Sequence, residues 1–96
     1  MRIRIEKFGK VLVSRPAGRE ALLVMLSAFR PAGGAEPIEL DFSDVLSVAP
    51  SWLDEVLIGL KKEYGGRVVV LPSPNRSLVE SLRVITDAPG PGGNNG

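Results

Sequence analysis

The alternation of polar and apolar residues near the N-terminus predicts two short strands. Residues 2–6 (RIRIE) alternate with a period of two, which is typical of a half-buried strand. Gly9 interrupts the pattern and suits a tight turn, because glycine readily adopts positive φ. Residues 11–13 (VLV) then predict a second strand. Since the connection is short, we predict that the two strands form an antiparallel hairpin.

Three later segments show the apolar spacing of helices. The first begins at 14–18, where proline fits the first helical turn. Its apolar stripe consists of Leu22, Met25, Leu26 and Phe29. Leu23 and Val24 widen that stripe, so this helix is either well covered or lies at an interface. The second helix is predicted at about 51–64, with a core stripe of Leu53, Val56, Leu57, Leu60 and Tyr64, and the third at about 76–86, with Leu78, Leu82 and Ile85 directed inward.

Two further strands are predicted between these helices, at 37–42 and 67–71. The second contains three consecutive valines, which are typical of a strand covered on both faces. We therefore expect Leu40 and Val69 to be buried. The element order is ββαβαβα, and helices between strands favour parallel neighbours joined by right-handed crossovers. The pattern predicts an α/β domain, a four-stranded mixed sheet with helices packed on it.

Composition limits the domain organisation and the chemistry. The 96 residues suffice for one domain, predicted at 1–87, and the Gly/Pro/Asn-rich segment 88–96 is predicted to be disordered. The absence of Cys and His excludes thiol catalysis, Ser-His-Asp triads and Cys/His metal sites. The net charge is +1 with scattered basic residues, which does not favour nucleic-acid binding. No apolar run is long enough to span a membrane, so we expect a cytoplasmic protein.

Four short motifs, in this order and spacing, resemble the STAS-like domain family of unknown function. They are FG at 8–9 followed by LVSR at 12–15, LDFSDV at 40–45, SVAPSWLDE at 47–55, and YG at 64–65. This bacterial family is related to STAS domains, which are named after sulfate transporters and anti-sigma-factor antagonists. The resemblance extends from Phe8 to about Ile85, and it implies a non-catalytic interaction module.

The resemblance also identifies Ser51 as a candidate phosphoacceptor. In STAS proteins proper, the corresponding helix begins with Asp-Ser-Ser-Gly, and a partner kinase phosphorylates the first serine. Here Ala49 and Pro50 precede Ser51, and Trp52 follows it. The alternative is that Ser51 is an N-cap, with Asp54 completing a capping box. The implied partner is a regulatory protein, either a kinase-type ATPase or a DNA-binding regulator, and a homodimer remains open.

The residues that follow Ser51 are the predicted partner-binding surface, namely Trp52, Asp54, Glu55 and Ile58. At 100° per residue, Ile58 lies nearly opposite the core stripe of its helix, and Trp52 lies on the flank of that stripe. An exposed tryptophan is a common binding hot spot. The alternative for Trp52 is packing beneath the hairpin or the 44–50 loop.

A second candidate site lies after the last strand. Ser73, Asn75, Arg76 and Ser77 precede the third helix, where an anion could bind at the carboxyl edge of the sheet. This arrangement predicts, as the alternative function, a sensor of a small ligand or nucleotide.

Acidic residues after the third strand admit two interpretations. Asp41, Ser43 and Asp44 suggest metal or general-base chemistry, but such residues more often bind backbone donors in a turn. We favour the turn, and we expect no catalytic activity, metal or cofactor.

Overall fold

The structure is a computed structural model that describes residues 1–31 and 33–87. Within these residues, short strands alternate with three α-helices. The strands are β1 (Arg2–Arg4), β2 (Val11–Leu12), β3 (Ile38–Asp41), β4 (Ser47–Val48) and β5 (Val68–Val70), and the helices are α1 (Arg15–Ala28), α2 (Pro50–Tyr64) and α3 (Arg76–Asp87). This confirms the α/β class and the three predicted helices. The predicted disorder of 88–96 lies outside the described residues.

The larger sheet is parallel and has the strand order β1-β3-β5. Leu40 of the central strand is paired with Ile3 on one side and with Val70 on the other. The parallel pairing of β3 and β5 confirms the arrangement that the intervening helix predicts.

The predicted N-terminal hairpin is wrong, and so is the single four-stranded mixed sheet. β1 pairs with β3, whereas β2 forms a separate parallel sheet with β4. Between β1 and β2 the chain forms a 3-10 helix, Ile5–Phe8, which buries the side chain of Ile5 completely. This helix redirects the chain, so that β2 reaches β4 in the segment predicted to be a loop. The result is two small parallel sheets.

Only one face of the larger sheet is buried. Ile3, Leu40 and Val68 point into the core, whereas the residues next to each of them in the same strand are exposed or half-buried. The burial of Leu40 is therefore confirmed, but the predicted burial of Val69 is wrong, since 42% of Val69 is exposed. β5 is an edge strand, and helices do not cover its second face.

Helix α2 lies between the other two helices and packs on the inner face of the sheet. Its predicted core stripe is confirmed, with Leu53, Val56, Leu57 and Leu60 buried and Tyr64 packed at the edge of the core. Leu78 of α3 is also buried. No helix within the described part of the chain has the length and apolar character needed to cross a bilayer.

Side chains cap two of the helices. The Ser14 Oγ accepts a hydrogen bond from the backbone N–H of Ala17 at 3.2 Å, at the start of α1. The Asn75 Oδ1 accepts one from the N–H of Leu78 at 3.1 Å, which makes Asn75 the N-cap of α3. At α2 the N-cap residue is Ala49, which offers no side-chain acceptor.

Candidate functional site

Ser51 lies in the first turn of α2 but does not cap it. The helix begins one residue earlier than predicted, at Pro50, because proline has the φ that the first helical position needs. The N-cap interpretation of Ser51 is therefore wrong, and so is the capping box with Asp54. Ser51 is half-buried, and its hydroxyl forms no hydrogen bond with the described residues.

Ser51 lines a cleft of about 330 Å³, which we call the Ser51 cleft. All three helices contribute to the cleft, which is lined by Arg15, Pro50, Ser51, Asp54, Val84 and Ile85. One wall is apolar and includes Val84 of α3, which is 52% exposed. The lining also includes a basic residue, Arg15, and an acidic residue, Asp54. The cleft thus places a free hydroxyl among a cation, an anion and an accessible aliphatic surface.

Arg15 links the starts of α1 and α2. Its Nη1 donates to Glu55 Oε1 at 3.1 Å and to Asp54 Oδ2 at 3.3 Å. The hydrogen bond to Glu55 raises the pKa of Arg15 above its ordinary value, and the hydrogen bond to Asp54 adds a smaller effect in the same direction. Arg19 Nε lies 3.5 Å from the second oxygen of Glu55. Both predicted partner-binding carboxylates are therefore held against α1.

The structure corrects the predicted docking role of Trp52. The side chain is only 1% exposed and belongs to the core, so packing, the alternative interpretation, is what the structure shows. Trp52 packs near β2 and α1, where it forms the floor of a groove beside Leu12 and Ala21. Ile58, by contrast, is 58% exposed, as its helical phase predicts, and lies outside the Ser51 cleft.

The second candidate site is held together by internal hydrogen bonds. The Asn75 Nδ2 donates to the Val45 carbonyl at 2.7 Å, while Ser77 Oγ donates to Asn75 Oδ1 at 2.6 Å and accepts from Val48 N at 3.0 Å. The Ser73 Oγ accepts from Asn75 N at 3.1 Å. Asn75 and Ser77 thus fasten α3 to β4 and its flanking loop, whereas Ser73 bonds within its own segment. The fourth candidate residue, Arg76, is exposed on the first turn of α3.

A cleft of about 390 Å³ lies beside these residues, between the segments 42–45 and 72–75. Both segments follow parallel strands, so the cleft occupies the carboxyl edge of the sheet, as the sequence predicts.

The acidic residues at this edge form a turn. Asp41 Oδ1 accepts a hydrogen bond from Ser43 N at 2.9 Å, and hydrogen bonding to Ser43 holds the pKa of Asp41 below its ordinary value. Asp44 adopts a positive φ of 69° and receives a hydrogen bond from Arg4 Nη2 at 3.2 Å. Within the described residues there is no group of three or more Asp, Glu, His or Cys that could hold a metal ion.

Residues 26–70 match the family model of the STAS-like domain of unknown function, DUF4325. These residues are similar to this family, which confirms the resemblance drawn from the motifs at 40–45, 47–55 and 64–65. No curated protein and no solved structure matches the chain. The matched range contains β3 to β5 and Ser51, but not Arg15 or Val84, so two sides of the Ser51 cleft lie beyond it.

The sequence interpretation missed Arg15 and Val84 as neighbours of Ser51. Both belong to helices that the periodicity correctly predicts, yet that periodicity does not determine how helices are placed relative to one another. The available signal for Arg15 was its position at the start of α1, opposite the acidic pair Asp54 and Glu55 at the start of α2.

Proposed function

We propose that this chain is a non-catalytic STAS-like interaction module of bacterial regulation that phosphorylation of Ser51 switches. The Ser51 cleft is the docking surface, and the partner is a kinase-type ATPase or a DNA-binding regulator. The observation that carries the proposal is the free hydroxyl of Ser51, which lies in the first turn of α2 within the same cleft as Arg15.

The charge distribution around Ser51 supports a switch. A phosphoserine carries a charge of about −1.5 to −2 at neutral pH. It would lie at the positive end of the α2 dipole, where no side chain caps the helix and the first turn holds no acidic residue. The phosphate would also compete with Asp54 and Glu55 for Arg15, and would thereby alter the contact between α1 and α2.

Phosphorylation itself is the first test. We expect a kinase-type ATPase of the native host to add a single phosphate with ATP, detectable by intact-protein mass spectrometry. Ser51→Ala should abolish the added mass, whereas Ser43→Ala, which alters an exposed loop serine outside the cleft, should not. A phosphate on another residue, or none on protein from the host, contradicts the switch.

The variants also separate switching from folding. Ser51→Ala should change the free energy of unfolding by less than about 0.5 kcal/mol, since the hydroxyl caps nothing. Ser51→Asp should fold equally well but bind the regulator with altered affinity in isothermal titration. Arg15→Gln should reduce the difference between Ser51→Asp and the wild type, because the charge at 51 then lacks its cationic neighbour. Equal affinity for Ser51→Asp and Ser51→Ala would argue against the proposal.

The cleft between 42–45 and 72–75 favours a second candidate function, the binding of a small ligand at the carboxyl edge of the sheet. Asn75 and Ser77 would have to exchange their internal hydrogen bonds for ligand contacts. A thermal-shift screen with inorganic phosphate and nucleotides distinguishes the two functions. Stabilisation that Ser51→Ala retains and Arg76→Ala loses would support the ligand sensor.

A further inference from the structure

A groove of about 310 Å³ runs between the outer surfaces of α1 and α2, and we call it the α1/α2 groove. Leu23 of α1 and Ile58 of α2 form its apolar walls and are 60% and 58% exposed. The groove is separate from the Ser51 cleft. The broad apolar stripe of α1 predicted a helix that is either well covered or lies at an interface. Leu23 is not covered, so it is available to an interface.

Close packing of the two helices brings these walls together. A Cβ atom added to Gly59 would lie 2.1 Å from Leu22 Cδ2, so the Leu22 side chain of α1 packs directly against α2 at Gly59. Leu22 and Gly59 form part of the groove floor, and Leu23 and Ile58 flank them. The two helices thus present one apolar surface to solvent.

The outer stripe of α2 has opposite charges at its two ends. Glu55, Ile58, Gly59 and Lys62 follow the spacing i, i+3, i+4 and i+7, and so share one face of the helix. Ile58 is central, with an acidic residue on its N-terminal side and a basic residue on its C-terminal side. If a second copy of the stripe runs antiparallel, Lys62 of each copy faces Glu55 of the other.

The charges around the groove are also balanced. Arg19 and Lys62 are basic, whereas Glu55 and Glu63 are acidic. Among the described residues Lys62 and Glu63 form no ion pair, while Glu55 binds both Arg15 and Arg19 within its own chain. A self-complementary patch of this kind suits an isologous two-fold interface, in which the same surface serves both subunits. A partner of one dominant charge would leave half of these residues opposed by like charge.

From this surface we infer that the chain forms a homodimer through the α1/α2 groove, with a two-fold axis near Ile58. Leu23 and Ile58 of each copy fill the groove of the other, and two Lys62–Glu55 pairs flank the apolar centre. Leu23, Ile58 and Lys62 all lie outside the Ser51 cleft.

Sedimentation equilibrium of the full chain over a range of concentrations tests the dimer. We expect a mass approaching twice 10.3 kDa as concentration rises. Ile58→Asp should raise the dimer dissociation constant by at least about tenfold, as burying an unpaired carboxylate at the centre of an interface is costly. Val79→Asp is the matched control, because Val79 is also exposed on α3, lies outside both the groove and the Ser51 cleft, and should leave the dissociation constant unchanged.

A charge reversal tests the antiparallel register. Lys62→Glu should also weaken the dimer by about tenfold or more, since it places like charges opposite each other at two symmetric points. Lys61→Glu makes the same change one residue away, off the stripe, and should have little effect. A wild-type chain that remains a monomer at every concentration overturns the inference. Equal dissociation constants for Ile58→Asp and Val79→Asp, or for the two lysine variants, overturn the interface.

Discussion

Trp52→Ala is expected to lower the free energy of unfolding by about 3–5 kcal/mol, the usual cost of removing a large aromatic side chain from a core. Trp52 is the largest of the fully buried side chains and is only 1% exposed. Its removal leaves a cavity among α1, α2 and β2, where the neighbouring side chains are already packed against one another. Urea denaturation followed by circular dichroism measures the loss.

The control for this experiment is an exposed aliphatic residue on another helix. Val84→Ala removes apolar atoms at a position that is 52% exposed and should change the free energy of unfolding by less than about 0.5 kcal/mol. Trp52 is also the only tryptophan, so its fluorescence should be blue-shifted in the folded wild-type chain and should shift to red on unfolding. A loss below about 1 kcal/mol for Trp52→Ala, with water-exposed emission before unfolding, would place Trp52 on the surface and revive its role in docking.

The sequence was informative where a single element determines the outcome. The helical spacing of Leu53, Val56 and Leu60 identifies the buried face of α2, and the same phase exposes Ile58. Asn75 precedes an apolar helical repeat, and it does cap α3. These features depend on local periodicity and on hydrogen bonds between near neighbours, both of which can be derived from a short stretch of residues.

Strand pairing could not be derived in this way. The short connection between β1 and β2 suggested a hairpin, but Ile5 ends the strand and is completely buried in a 3-10 helix. β4 has only two residues, and its hydrogen bonds depend on β2, which is distant in sequence. The run of valines in β5 likewise reflects β propensity, which does not reveal whether one or two faces are covered.

The candidate site shows the same limit. The start of α2 was predicted to within one residue. This difference of one residue decides whether the Ser51 hydroxyl caps the helix or remains free. Trp52 lies on the flank of the core stripe, so the sequence did not decide between burial and exposure of its side chain. That outcome depends on where β2 and α1 are placed. Arg15 reaches Ser51 only through the packing of α1 on α2.

That helix packing depends on Gly18. A Cβ atom at this position would lie 2.8 Å from the carbonyl oxygen of Trp52 and 3.1 Å from its Cα, both of them backbone atoms of α2. A flexible side chain could move away from such a contact, but the backbone of α2 can do so only if the helices separate.

Gly18→Val is therefore expected to lower the free energy of unfolding by about 1–3 kcal/mol, the usual cost of overpacking a core. This loss should appear although glycine within a helix is itself unfavourable by about 1 kcal/mol relative to alanine. Gly66→Val provides the control, because a Cβ atom at Gly66 meets no atom within 4 Å and the variant should match the wild type to within about 0.5 kcal/mol. Separation of the helices should also break the bonds from Arg15 to Asp54 and Glu55, so the variant should lose affinity for the regulator even under conditions in which it is folded. A Gly18→Val protein as stable as the wild type and with unchanged affinity would show that the starts of α1 and α2 are not in close contact.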